Sequence, residues 1–203
     1  MVLVTKADKG NSKVIIHEDE YKQKVKNFIS KSEATETNDN VTAKFKKHLR
    51  TTLNECKQIT DANKKWRYIN LNPGTPVLRG LTKVHKEGTP IRPVVNFRNA
   101  PTYNRAKMFT NILMKYIPLP SVYNVQNSVQ LIKDLANIPG TLGLRLASLD
   151  ISNMYTNIPI KELLDIIEST CINNSLDPTL RQEILHLTGL IVTQNYFKFQ
   201  DKT

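Results

Sequence analysis

The chain has 203 residues, 39% of them hydrophobic, with 29 Lys and Arg against 18 Asp and Glu and a formal net charge of +11. That apolar content is enough to bury a core and excludes a chain disordered throughout. Cys56 and Cys171 stand far apart with no Cys-x-x-Cys, which argues against a structural zinc site, and no leader-like segment or run of about 18 apolar residues is visible, which points to an intracellular protein with no membrane partner.

The charge is uneven. Residues 1–100 hold 20 Lys and Arg against 10 Asp and Glu, whereas residues 101–203 hold 9 against 8. A basic N-terminal surface of this kind suits a polyanion such as nucleic acid, because each neutralised phosphate releases counterions.

In chain order, residues 2–4 and 13–17 read as short β segments around a polar turn, Lys6-Ala-Asp-Lys-Gly-Asn-Ser12. Lys6, Asp8 and Lys9 in this turn are candidates for contact with template phosphate, with loop solubility as the plainer reading. A helix is expected from about Asp19, since Tyr21, Val25, Phe28 and Ile29 share one face. Residues 30–40 read as a loop, and Asn40 as the cap of a helix with the apolar stripe Val41, Phe45, Leu49, Leu53 and Cys56. Asn72-Pro-Gly-Thr-Pro76 breaks the chain before a hairpin at 81–97, and Ala100-Pro-Thr-Tyr-Asn104 breaks it afterwards. Helices then fit Ala106 to Ile117 and Val125 to Leu135. Thr141 to Leu149 reads as an apolar strand, Ile160 to Cys171 as a helix, and Pro178 as the first position of another. On this reading the chain stops as one more strand begins, as a fragment would.

The hairpin carries Lys83, Lys86 and Arg92 around a Gly/Pro turn. Three cations on one short ribbon repel one another unless an anion sits between them, and a triphosphate would relieve that repulsion. Arg92 offers a planar fork and the lysines act as point charges. The plainer reading is a charged ribbon that resists edge pairing. Pro93 removes a ladder donor and marks an edge strand.

Asp150 ends the expected strand, where a rigid carboxylate suits a metal site. Phosphoryl transfer to a growing strand uses two divalent ions about 4 Å apart, bridged by carboxylates. On this reading Leu149 and Ile151 point into a core, and the backbone carbonyl of Ile151 is a second oxygen ligand for magnesium. As a turn residue Asp150 would do no chemistry. Tyr155, five residues on, reads either as a core aromatic or as a ring lying under a nucleotide sugar, where it would clash with a 2′-hydroxyl.

Taken together, Ala7-Asp-Lys-Gly10, Gly80-Leu-Thr-Lys-Val-His-Lys-Glu-Gly-Thr-Pro-Ile-Arg-Pro-Val-Val95, Ala100-Pro-Thr-Tyr-Asn104 and Leu149-Asp-Ile-Ser-Asn-Met-Tyr-Thr-Asn-Ile-Pro159 stand in one order. The chain resembles the reverse transcriptases of Penelope-like retroelements and, more distantly, the catalytic subunit of telomerase. That resemblance implies an α+β fold, the fingers and partial palm of a right-hand polymerase. Residues 1–100 would form a basic fingers lobe with the nucleotide-binding hairpin at 81–97, and residues 101–203 the connection and a partial palm with motif A. It implies Asp150 as the first catalytic carboxylate and metal ligand with the Ile151 carbonyl, Tyr155 as the sugar gate, and Lys83, Lys86 and Arg92 as triphosphate contacts. It further implies an RNA-directed DNA polymerase working with two Mg2+ ions, deoxynucleoside triphosphates (dNTPs), an RNA template and a DNA primer, in the nucleus. Thr82 departs from the family's usual Pro and Tyr155 from its frequent Phe. The Tyr-x-Asp-Asp motif and the thumb would lie beyond Thr203, so the chain reads as a polymerase fragment, inactive alone. The alternative is a non-catalytic nucleic-acid-binding remnant.

Overall fold

The computed structural model describes residues 1–60, 67–117, 124–138, 145, 147–151 and 157–200. Alternating β-branched residues form β1 (Val2–Lys6) and β2 (Lys13–His17), an antiparallel pair with Val2 opposite His17 and Lys6 opposite Lys13. Gly10 (φ +79°) and Asn11 (φ 53°) turn the chain between them in the left-handed region, where Gly has no Cβ to clash and Asn is tolerated. Helix α1 (Glu18–Lys31) follows at once, with Glu18, Asp19 and Glu20 in its first turn, complementing the positive end of the helix dipole. Its Val25 is fully buried.

Helix α2 (Val41–Glu55) starts at Asn40, whose side chain accepts a hydrogen bond from the Ala43 N–H as the sequence predicts. The second hairpin pairs β3 (Val77–Thr82) with β4 (Ile91–Asn96), placing Gly80 opposite Pro93, Leu81 opposite Arg92 and Thr82 opposite Ile91. Strand β3 therefore begins before residue 81. The remaining helices are α3 (Tyr103–Tyr116), α4 (Ser128–Ala136), α5 (Ile160–Asn173) and α6 (Pro178–Val192). Pro178 opens α6, and the Asp177 carboxylate accepts from the Thr179 and Leu180 N–H groups.

The fold is mixed α+β, with two small antiparallel sheets and several helices. Its hydrophobic core lies among α2, α3, α5 and α6, around Leu49, Leu53, Phe109, Cys171, Ile184 and Leu187. Helix α1 instead packs on β2, β3 and β4, while β1 packs on β3. The Lys198 N–H donates to the Pro76 carbonyl at 2.7 Å and the Leu78 N–H donates to the Lys198 carbonyl at 3.0 Å, which lays the end of the chain along the free edge of β3. Among the described residues no helix is long and apolar enough to cross a membrane.

Two expectations need correction. The strand expected at Thr141 to Leu149 falls partly outside the described residues, but Arg145 and residues 147–149 are exposed and not in a strand. Leu149 is 96% exposed and Ile151 69%, so neither side chain points into a core. A strand needs a neighbour to take its backbone donors and acceptors, and neither described sheet pairs with Arg145 or residues 147–151. Helix α4 forms where its periodicity predicts, capped by Asn127, yet none of its residues is buried. Pattern fixed its conformation without a packing partner among the described residues.

Candidate functional site

The β3–β4 hairpin has two chemically different faces. Alternation puts Leu78, Gly80 and Thr82 of β3 with Ile91, Pro93 and Val95 of β4 on the inner side, and Arg79, Leu81, Arg92 and Val94 on the outer side. The inner side borders a cavity of about 820 Å3 with walls that include Leu78, Pro93, Val95, Phe97, Tyr103 and Ile160. Such an apolar wall gives a phosphate nothing to bond. The outer side carries Arg79 and Arg92 as diagonal neighbours, and both are exposed.

Helix α1 fastens the ribbon from behind. The Gly80 N–H donates to the Tyr21 hydroxyl at 2.9 Å, and a Cβ at Gly80 would stand 3.2 Å from Val25 and Ile91 side-chain carbons, so glycine lets helix and hairpin approach. At the tip, Lys24 Nζ donates to the Thr89 carbonyl at 3.0 Å and to the Thr89 hydroxyl at 2.6 Å, and pairs with Glu20 at 3.0 Å. The Lys83 N–H donates to the Pro90 carbonyl at 2.8 Å, closing the neck of the loop, and the Lys86 N–H donates back to the Lys83 carbonyl at 3.0 Å. Lys83 is half-buried at that neck and Lys86 is exposed on the tip. Neither ammonium has a hydrogen bond or ion pair among the described residues.

One of the three cations, Arg92, meets an acid from the first turn of the chain. The Asp8 N–H donates to the Thr82 carbonyl at 2.9 Å, Ala7 bridges to Thr82 in parallel, and Asp8 Oδ1 forms an ion pair with Arg92, 3.0 Å from its Nε. The Asp8 side chain is 1% exposed and that of Arg92 is 52% exposed. The pair is thus anchored at one end and open at the other. Lys6 and Lys9 flank it and are exposed, with Lys6 paired across the first hairpin to Lys13. Asp8 was legible as a turn acid but not as this partner, because the contact joins residues 84 positions apart; the available signal was an acid beside an unpaired cationic ribbon.

The other half of the expected site is less assembled. Asp150 is exposed, outside any strand, and has no hydrogen bond or ion pair among the described residues. Tyr155 lies outside the described residues. The Asp150 carboxylate and Ile151 carbonyl are oxygen donors of the kind magnesium takes, but no group of three potential metal-ligating side chains occurs among the described residues. Those donors are fewer than a two-ion centre needs, and no step through magnesium follows from them.

Two buried charges escaped the sequence reading altogether. Glu183 of α6 accepts from the Gln58 N–H at 3.0 and 3.1 Å and from the Ile59 N–H at 2.9 Å, tying the loop after α2 to α6. Arg105 of α3 is fully buried with its guanidinium 4.8 Å from the Tyr68 ring centre and one bond to the Thr60 hydroxyl; burial lowers its pKa. Burial, and then the Glu183 charge, pushes the neighbouring Cys56 thiol up to about 11. These residues brace the helical core and lie among its packed side chains. Compared with known protein families, characterised proteins and solved structures, the chain gives no match.

Proposed function

We propose that the chain is the fingers and first part of the palm of an RNA-directed DNA polymerase of retroelement type, and that its β3–β4 ribbon holds the triphosphate of an incoming dNTP. The observation that carries the reading is the Asp8–Arg92 pair. It draws the Ala7-Asp-Lys-Gly10 turn against the hairpin, so that two segments singled out separately in the sequence meet around one cationic surface. Arg92 supplies a fork for phosphate oxygens, and Lys83 and Lys86 supply point charges nearby. Lys6 and Lys9 extend the basic surface toward the nucleic-acid backbone. Asp150 and the Ile151 carbonyl are the residues assigned to magnesium, and further carboxylates of the complete enzyme would be needed to finish that centre. Tyr155 is the residue assigned to the sugar gate. The localisation that goes with this reading is nuclear, where DNA 3′ ends are available for extension.

The experiment is equilibrium binding of a fluorescent dNTP and of an RNA–DNA hybrid to the purified chain. Expected are saturable dNTP binding displaced by inorganic tripolyphosphate, selective loss of that binding in Arg92→Ala, and hybrid binding that weakens steeply with salt. A second reading, a non-catalytic nucleic-acid-binding remnant, is favoured by the exposed, strandless setting of Asp150. Equal loss of dNTP and hybrid binding in Arg92→Ala would select it, because the ribbon would then be gripping backbone phosphate.

A further inference from the structure

We infer that Asp8 is a positioning residue for phosphate recognition, which presets the Arg92 guanidinium on the outer face of the hairpin; the inference rests on the triphosphate reading of that ribbon. Asp8 Oδ1 approaches Arg92 most closely at Nε, 3.0 Å away. Neither Nη group makes a hydrogen bond to the protein among the described residues, and together they form the edge of the guanidinium that can meet two phosphate oxygens at once. An arginine loses much rotamer freedom when it is ordered. Fixing Nε beforehand moves that loss from binding to folding, so less of it opposes ligand capture.

The carboxylate is placed for this task and for little else. With its side chain 1% exposed and Oδ2 buried without a partner, it is closed to solvent and to a metal ion arriving with its water shell. Its backbone is pinned by the Asp8 N–H bond to the Thr82 carbonyl and by the Ala7 N–H bond to the Ser12 carbonyl at 2.8 Å, so the acid cannot follow Arg92 if the side chain swings away. Register puts Leu81 directly opposite Arg92 and Arg79 diagonal to it. Without Asp8, the repulsion of Arg79 would push the Arg92 fork outward, where several rotamers compete.

A negative charge beside an arginine also repels an incoming polyphosphate. Orientation prevails here because the carboxylate sits behind the guanidinium, on the Nε side, where the cation lies between it and a ligand on the Nη edge. The opposite sign in the experiment would show that repulsion wins instead.

The test measures binding of inorganic tripolyphosphate and of dATP to the whole chain and to Asp8→Ala, Asp8→Asn, Arg92→Ala and the Asp8→Ala/Arg92→Ala double variant, with melting curves recorded in parallel. Asp8→Ala is expected to weaken both ligands about tenfold, the order of the arginine rotamer freedom that binding would then have to take up. Asp8→Asn keeps an oxygen acceptor for Nε and should recover most of that loss. In the Arg92→Ala background, Asp8→Ala should cost nothing further, because there is no fork left to orient. A purely structural Asp8 would lower melting in every background and leave the affinity of the folded protein unchanged, overturning the inference while leaving the triphosphate reading intact. Tighter binding by Asp8→Ala would overturn it as well. No measurable binding of either ligand by the unsubstituted chain, with hybrid binding retained, would overturn the triphosphate reading itself. If Asp8→Ala does not fold, the Arg92 Nε–H NMR signal of the unsubstituted chain reads the pair directly: it should be slow to exchange and unmoved by tripolyphosphate while the Nη signals shift, and a freely exchanging Nε–H would overturn the inference.

Discussion

The hairpin of residues 77–96 and the stretch of residues 147–151 carry the two chemical halves of one proposed site, and the fold treats them in opposite ways. The hairpin finds its ladder partner within twenty residues, is bonded to Tyr21 and Lys24 of α1 behind it, and receives Asp8 at its neck. The Asp150 stretch has no strand partner among the described residues, and Leu149 is almost fully exposed. A ribbon that closes on itself supplies its own inner ladder from neighbouring sequence, whereas a single strand depends on a sheet built by distant parts of a chain. Cation placement is therefore built into the described structure, and acid placement is not.

The strongest way to break this contrast is to attack the joint between ribbon and helix. Gly80→Val should lower the stability of the fold by about 1–3 kcal/mol, the usual cost of overpacking, since even the first added carbon meets Val25 and Ile91 at 3.2 Å. Urea unfolding would measure it, and an unchanged midpoint would mean that α1 and the hairpin do not pack as described. Tyr21→Phe is a smaller version of the same test. It leaves the Gly80 N–H without its acceptor and should cost about 1–2 kcal/mol by the same measurement.

The helical core offers a calibration that neither half of the site enters. The Cys56 thiol keeps its proton up to about 11 in the fold, against a usual value of 9.0. Between these values the unfolded chain binds fewer protons than the folded one, so stability is full below about pH 9 and falls as pH rises toward 11. Cys56→Ala should remove that part of the alkaline loss. A urea-midpoint profile identical in both chains would show that the thiol is not held in the core.

Local chemistry was readable in the sequence where the physics is local. The two β-branched runs around Gly-containing turns, the Asn40 cap, Pro178 at the head of α6 and the apolar stripe of α2 all depend on neighbours within a few residues, and each has its expected local structure. The pairs Asp8 with Arg92 and Glu183 with the Gln58 and Ile59 backbone join distant positions, and no periodicity announces them. The strand expected before Asp150 fails for a related reason. An apolar run shows that a segment can be buried, but burial also needs a surface to receive it, and Leu149 has none among the described residues.

That last point makes the smallest effect the sharpest one. If residues 147–151 are as free of packing as their exposure indicates, Leu149→Ser removes a large apolar side chain from solvent and not from a core, and should change stability by less than about 0.5 kcal/mol. A leucine packed in a palm sheet would instead behave as a core position, where truncation to alanine costs about 2–5 kcal/mol. Urea unfolding of Leu149→Ser separates the two by several times its error. A large loss would mean that the strand is assembled in solution and that Asp150 has the rigid base a metal ligand needs; a loss near zero, beside a large one for Gly80→Val, would place all the preorganisation of this chain on the cationic side of the proposed site.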